Sequence, residues 1–274
     1  MERTPRRGAA AVVSELLLAY EGSGAAWARG PTRLYDRLAD RVLRGVAAEL
    51  AGALVLDVGA GTGALCRALR SCGATPVALD VSPDMLAWVD GAAVVSVTGD
   101  MLALPFIDNA FDAAVSGFAL SHVDAPERAL GEIARVVRRN GRVVIGVFGA
   151  AAANASKDVV DGVAARFGHR RPDWYASLKA RTEPLSNTPQ LLRACAEAGG
   201  LRSPHIDDIT VDSGIETPEE LVDYRIGMAH LAPFVRSLPP ERREEFVGQA
   251  IAEVRKCGQV LRPRLLILSC RAPA

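Results

Sequence analysis

The chain has no surplus of charge: 32 Lys and Arg stand against 32 Asp and Glu. A polyanion-binding protein gathers basic residues to displace counterions, so nucleic acid is not an expected partner. The basic residues are almost all arginine and alanine is abundant, which reads as a GC-rich coding bias rather than a guanidinium code. Cysteine is scarce and unpatterned. Cys66, Cys72, Cys195, Cys257 and Cys270 are odd in number and contain no CxxC pair, so reduced, mostly buried thiols are expected. No apolar run reaches the roughly 18 residues of a membrane span. The basic start Met1–Gly8 imitates an export signal. However, the apolar run Ala9–Leu18 is cut by Ser14 and Glu15 and no clean cleavage site follows, so a cytoplasmic protein with an amphipathic opening helix is expected.

What is there is ordinary globular material. The 274 residues, 49% hydrophobic, allow one large α/β domain with elaborations. Helices are expected at Ala9–Tyr20 and Pro31–Leu50, the second carrying Leu34, Leu38, Val42, Val46 and Leu50 at helical spacing. The pattern then alternates. Strands are expected at Ala53–Asp57, Thr75–Asp80, Ala92–Val97, Phe111–Ser116 and Arg142–Phe148, with helices at Thr62–Cys72, Ser82–Val89 and Ala125–Arg138 between them. Continuous apolar strands separated by helices imply a parallel sheet covered on both faces. After Phe148, helices are expected near Asn154–Phe167, Thr188–Ala198, Pro218–His230 and Pro239–Lys256. Strands near Pro204–Val211 and Arg264–Cys270 would close the sheet. The whole is an α/β fold, a doubly wound Rossmann-like seven-stranded sheet with N-terminal helices and a helical cap inserted before the last strand. It divides into N-terminal helices at 1–52, a cofactor core at 53–149, and a substrate cap with closing strands at 150–274.

The informative run is Asp57-Val58-Gly59-Ala60-Gly61-Thr62-Gly63. A glycine turn between strand and helix lets backbone approach a ligand. Gly59, Gly61 and Ala64 also satisfy the dinucleotide fingerprint. Asp57 argues for a different ligand, because an anion there repels a pyrophosphate but suits an ammonium group. Asp80, ending the second strand, can accept from two ribose hydroxyls. Asp100, after the third strand, can accept from an adenine amine, with Met101 or Leu102 packing the ring. Thr62 is either a cap for the following helix or a ligand contact.

Together these segments resemble the class I S-adenosylmethionine-dependent methyltransferases, and within them the small-molecule group containing the ubiquinone and menaquinone biosynthesis enzymes. Leu104-Pro105-Phe106 with Asp108 and Phe111-Asp112 is similar to that group's segment before the fourth strand. Leu120-Ser121-His122-Val123 and the run Glu132–Val137 fit as well. The departure is Arg138-Arg139-Asn140-Gly141, where the group has Lys-Pro-Gly-Gly. The resemblance implies S-adenosylmethionine as cofactor, held by Asp57, Gly59, Ala60, Gly61, Asp80, Val81, Met85, Asp100, Met101, Leu102 and Phe118. It implies methyl transfer to a small-molecule acceptor, and bacterial specialised metabolism is the expected setting. His122, which should overlook the crevice at the strand ends, is the candidate base or acceptor contact. Tyr35, Tyr175, Tyr224 and His230 are candidate acceptor contacts, and Tyr20 and Trp27 candidate covers for the cofactor. His205, Asp207 and Asp208 read as edge-strand surface residues, and no metal is expected. Two rivals stand: a non-methylating S-adenosylmethionine-binding cyclase or scaffold, and a nicotinamide oxidoreductase, against which Asp57 and Gly99-Asp100 argue.

Overall fold

The computed structural model describes residues 19–150, 155–258 and 260–274. Seven strands, β1 (Leu54–Val58), β2 (Thr75–Asp80), β3 (Val95–Thr98), β4 (Phe111–Gly117), β5 (Val137–Phe148), β6 (Arg202–Thr210) and β7 (Arg264–Arg271), form one sheet in the order β3-β2-β1-β4-β5-β7-β6. The first five run parallel, and β7 is antiparallel to both β5 and β6. Strand order therefore reverses between β1 and β4, and a crevice opens there at the carboxyl ends of the strands.

The helices are α1 (Gly24–Arg29), α2 (Pro31–Leu43), α3 (Ala47–Leu50), α4 (Ala64–Ser71), α5 (Pro83–Leu86), α6 (Pro126–Val136), α7 (Ala155–Arg166), α8 (Asp173–Ser177), α9 (Pro189–Ala198), α10 (Pro218–Ile226), α11 (Ala232–Ser237) and α12 (Pro240–Cys257). Leu38 and Val42 of α2, Leu69 of α4, Val163 of α7 and Phe246 of α12 share one core cluster with Val55 and Val115 of the sheet. Leu130 and Ile133 of α6 and Leu192 of α9 form another with Leu56 and Ile145. Residues alternate along the inner strands between these two clusters, which is why β1 and β4 read as unbroken apolar runs. Burial of a side chain such as Leu38, Leu69 or Phe246 contributes about 2 kcal/mol.

Several boundaries differ from the sequence expectation. The helix expected over Pro31–Leu50 breaks after Leu43, where Gly45 sits in open space and removes any side-chain reason to continue. Val46 and Leu50 nevertheless stay buried, so the periodicity survives the break. The helix expected from Ser82 closes after one turn; Ser82 caps it, Oγ accepting from the Met85 N–H at 3.3 Å. Strand β5 begins at Val137, which pairs with Phe111, and the Arg138–Gly141 turn is thrown out as a bulge before pairing resumes at Ala113 and Arg142. The helix expected to reach His230 stops at Ile226, because Gly227 packs directly on Pro31. Helices α1, α8 and α11 were not expected. The Ala9–Tyr20 helix lies almost wholly outside the described residues. All five cysteines are free thiols.

Candidate functional site

The turn after β1 is built by three left-handed glycines, Gly59 (φ 74°), Gly61 (φ 55°) and Gly63 (φ 84°). Their roles differ. A Cβ on Gly59 would collide with the Ala119 methyl, so this glycine lets the β1 and β4 ends approach. A Cβ on Gly61 would meet only the Met85 Cε, at 3.6 Å, so the space beside Gly61 is left open. Gly63 is the N-cap of α4, and the Thr62 hydroxyl caps nothing; it lies 3.3 Å from the Thr32 hydroxyl instead.

Asp80 locks the turn to β2. Its Oδ2 accepts from the Gly61 N–H at 2.8 Å and its Oδ1 from the Ser82 N–H at 2.9 Å. Each oxygen keeps a further lone pair, enough for two hydroxyl donors. Asp57 is 0% exposed within β1. Burial pushes its carboxyl up to about 7, against the hydrogen bond that the Cys66 thiol donates to Oδ2 at 3.2 Å. Its Oδ1 is buried with no partner among the described residues. An orphaned buried oxygen beside an open glycine turn suits a ligand that brings a donor, and an amine is such a donor. Asp100, after β3, accepts from the Leu102 N–H at 2.9 Å.

Phe118, just past β4, holds φ 65°, a costly conformation for a bulky residue. Its N–H donates to the Gly146 carbonyl at 2.7 Å, and its ring stacks on Phe148 at 4.6 Å. Tyr35 meets both rings edge-on. His122 ends a short 3₁₀ turn, Leu120–His122. Its Nε2 lies 3.4 Å from the Tyr20 hydroxyl, and its Nδ1 is buried with no partner among the described residues. Burial, with the Lys179 cation, lowers His122 to about 4, so the ring is neutral at pH 7. Burial raises the Tyr20 phenol well above its ordinary range, so it stays protonated beside His122.

These groups face one cavity of about 550 Å³, a volume within the range of small-molecule sites. Every residue named from the sequence for the cofactor lines it, as do His122, Tyr35, Tyr175, Tyr224 and His230. The sequence reading missed other parts of the wall: Trp174, Lys157, Lys179, Asp161 and Arg225. A signal was available for two of them. Asp161 interrupts the apolar stripe Val160, Val163, Ala164 on α7, and Arg225 follows Val222 and Tyr224 on α10. They pair with each other, Arg225 Nε to Oδ1 at 2.9 Å and Nη2 to Oδ2 at 2.6 Å. Lys179 stands on a π-helical turn, Leu178–Thr182, an irregularity common at functional sites. His205 and Asp207 are 3.2 Å apart on the exposed face of β6, and among the described residues no cluster could hold a metal ion. No helix among the described residues is long and apolar enough to cross a membrane.

Residues 56–145 match a family model described as a methyltransferase domain. A demethylmenaquinone methyltransferase from Renibacterium salmoninarum is 36% identical over 141 residues, which cover 51% of this chain and 58% of that protein. The chain thus spans little more than half the length of that relative. The fold is also that of a Haemonchus contortus phosphoethanolamine N-methyltransferase solved with S-adenosylhomocysteine, at TM-score 0.56 and 17% identity over 87% of this chain and 53% of that one. The cyclase SpnF shares it too, at TM-score 0.53 and 24% identity over 87% and 81% of the two chains.

Proposed function

We propose that this chain, whose central segment resembles the class I methyltransferases of menaquinone biosynthesis, transfers a methyl group from S-adenosylmethionine to a small-molecule acceptor. The observation that carries the proposal is the convergence of the open Gly61 turn, the orphaned Asp57 Oδ1 and the two Asp80 oxygens on one cavity. Asp57 would take the amino group, Asp80 the ribose hydroxyls, and Asp100 the adenine amine, with Met101 and Leu102 against the ring. Ala60, Val81, Met85 and Phe118 would fill the remaining wall. The bound cofactor supplies a methyl group that is already activated, so the protein's main task is to hold a nucleophile in line with it.

His122 is positioned for that task. Neutral and buried, it would act as base in the tautomer whose Nε2–H donates to the Tyr20 oxygen, leaving a bare Nδ1 to orient the acceptor and take its proton if the nucleophile carries one. Apart from His122, the acceptor end of the cavity is walled by residues before 56 and after 145, outside the matched domain. The acceptor of the menaquinone enzyme is therefore not carried over; the setting proposed is bacterial specialised metabolism in the cytoplasm. A cyclase of this fold would bind the cofactor without consuming it, so conversion of S-adenosylmethionine to S-adenosylhomocysteine on turnover distinguishes methyl transfer from that rival.

Thermal melts provide the first test. S-adenosylhomocysteine at about 100 times its Kd should stabilise the native state by about 2.7 kcal/mol, raising Tm by roughly 5 °C for a chain of this size. NAD and NADP should leave it unmoved. A shift with NAD alone would overturn the assignment.

A further inference from the structure

The cavity wall contributed by residues after Phe148 carries more positive than negative charge. Lys157, Arg171, Lys179, Arg225 and Arg264 line it, against Asp158, Asp161 and Glu183. The carboxylates are also largely committed. Asp161 is held by Arg225, and Glu183 by the Lys179 ammonium at 2.5 Å. The cations are partly committed as well, Arg264 to Asp208 and Arg225 and Lys179 to these same carboxylates, but the balance of charge on this wall stays positive and favours an anionic acceptor.

Arg225 and His230, which also line this wall, are buried. Arg225 is 5% exposed and uses Nε and Nη2 on Asp161; its Nη1 makes no hydrogen bond among the described residues. His230 is 3% exposed. Its Nε2 is buried without a partner among the described residues, 3.9 Å from Asp161 Oδ1 and beyond hydrogen-bond reach. Burial lowers this imidazole to about 4, so it is neutral, and in its Nε2–H tautomer it offers a donor without adding charge. A buried ring nitrogen without a partner is costly unless something comes to it, and Arg225, with Nη1 unused, lines the same cavity.

The rest of the wall is aromatic. Ring contacts run without a gap from His122 to Tyr20 (5.8 Å), Tyr20 to Trp174 (6.2 Å), Trp174 to Tyr175 (5.5 Å) and Tyr175 to His230, stacked at 3.9 Å. The Lys179 ammonium and the Arg171 guanidinium lie 5.8 and 6.0 Å from the Tyr175 ring centre. A flat ring fits such a wall, and a carboxylate fits the donors at its end.

Resting on the methyl-transfer reading, we propose that the acceptor is an aromatic carboxylic acid, its ring against Tyr20, Trp174 and Tyr175 and its carboxylate held by Arg225 Nη1 and His230 Nε2 near Lys179. Asp161 is then a positioning residue that fixes the Arg225 fork and leaves its outer edge for the acceptor.

Calorimetry on the full chain, with and without saturating S-adenosylhomocysteine, tests this with 1-naphthoate and its neutral counterpart 1-naphthamide. The acid should bind about tenfold or more tightly than the amide, as expected for hydrogen bonds to a charged group. His230→Phe keeps the stack on Tyr175 and should erase most of that preference. Lys179→Gln, at a half-exposed position that tolerates change, should reduce it several-fold. In both variants S-adenosylhomocysteine should bind as in the parent. Equal binding of the two probes, preference for the amide, or binding of neither overturns the inference. A protein that prefers naphthoate but never binds S-adenosylhomocysteine keeps the acid subsite and overturns the methyl-transfer reading instead.

Discussion

At the scale of single residues, the two glycines of the turn are predicted to fail in different ways. Gly59→Ala drives a methyl into Ala119 at a left-handed backbone position, so it should lower Tm sharply and cost more than the strain of about 1 kcal/mol expected for the backbone alone. Gly61→Ala carries only that strain and points its methyl at the cavity, so it should lose S-adenosylhomocysteine affinity more than stability. Parallel melts and titrations separate the two; identical behaviour would mean that both glycines serve only the turn. Asp57 supplies a pH prediction. Its native carboxyl titrates at about 7 instead of near 4, so protonation favours the cofactor-free native state, fully below pH 4 and not above 7. An amine-bearing ligand needs the ionised form. Affinity for S-adenosylhomocysteine should therefore rise from pH 6 to pH 8, and Asp57→Asn should be weaker and flat across that range. A wild-type affinity without slope would remove Asp57 from the contact.

At the scale of elements, α10 brings Tyr224 and Arg225 to the cavity, and its start is set by a capping box. Thr217 Oγ1 accepts from the Glu220 N–H at 3.1 Å, while the Glu220 carboxylate accepts from the Thr217 N–H at 3.3 Å. Thr217→Ala should cost about 1 kcal/mol in chemical denaturation, with cofactor affinity unchanged, because the glycine turn is held separately by β1 and β2. A loss of cofactor affinity would show that the cap and the turn are coupled. Elements were legible where periodicity and punctuation agreed, as in α6, α9 and α12, each opened by a proline at its first turn. They were illegible where packing overrode the pattern. Helix α8 and the π-helical turn after it have only Tyr175 buried among Asp173–Ser177 and none among Leu178–Thr182, too little apolar periodicity to announce a helix.

At the scale of the whole molecule, buried neutral histidines make the fold acid-sensitive. His122 and His230 titrate at about 4 in the native state against 6.5 in an unfolded chain. The unfolded chain thus takes up protons first as pH falls, so their stabilising contribution is present above pH 6.5 and is lost down to about pH 4. Asp57 opposes this over part of the same window, since its raised carboxyl favours the native state as pH falls from 7. His230→Phe should therefore show a smaller fall in Tm between pH 6.5 and 4.5 than the parent chain; an equal fall would assign the acid sensitivity elsewhere.

The sequence by itself determined the order of strands and helices from Leu54 through Phe148 and the residues that meet at the glycine turn. Those features are written locally: apolar runs, a left-handed glycine, a carboxylate at a strand end. Asp57, Gly61, Asp80 and Asp100 could be read because each sits a fixed step from its own strand, and the parallel sheet then sets those strand ends side by side. The acceptor end was decided only by the tertiary structure. Asp161 and Arg225 are 64 residues apart, and Tyr20 meets His122 across 102; no local pattern encodes such pairs. Their partnership arises because α7 and α10 bury their apolar faces in the same core cluster and leave two opposite charges to neutralise each other beside the cavity.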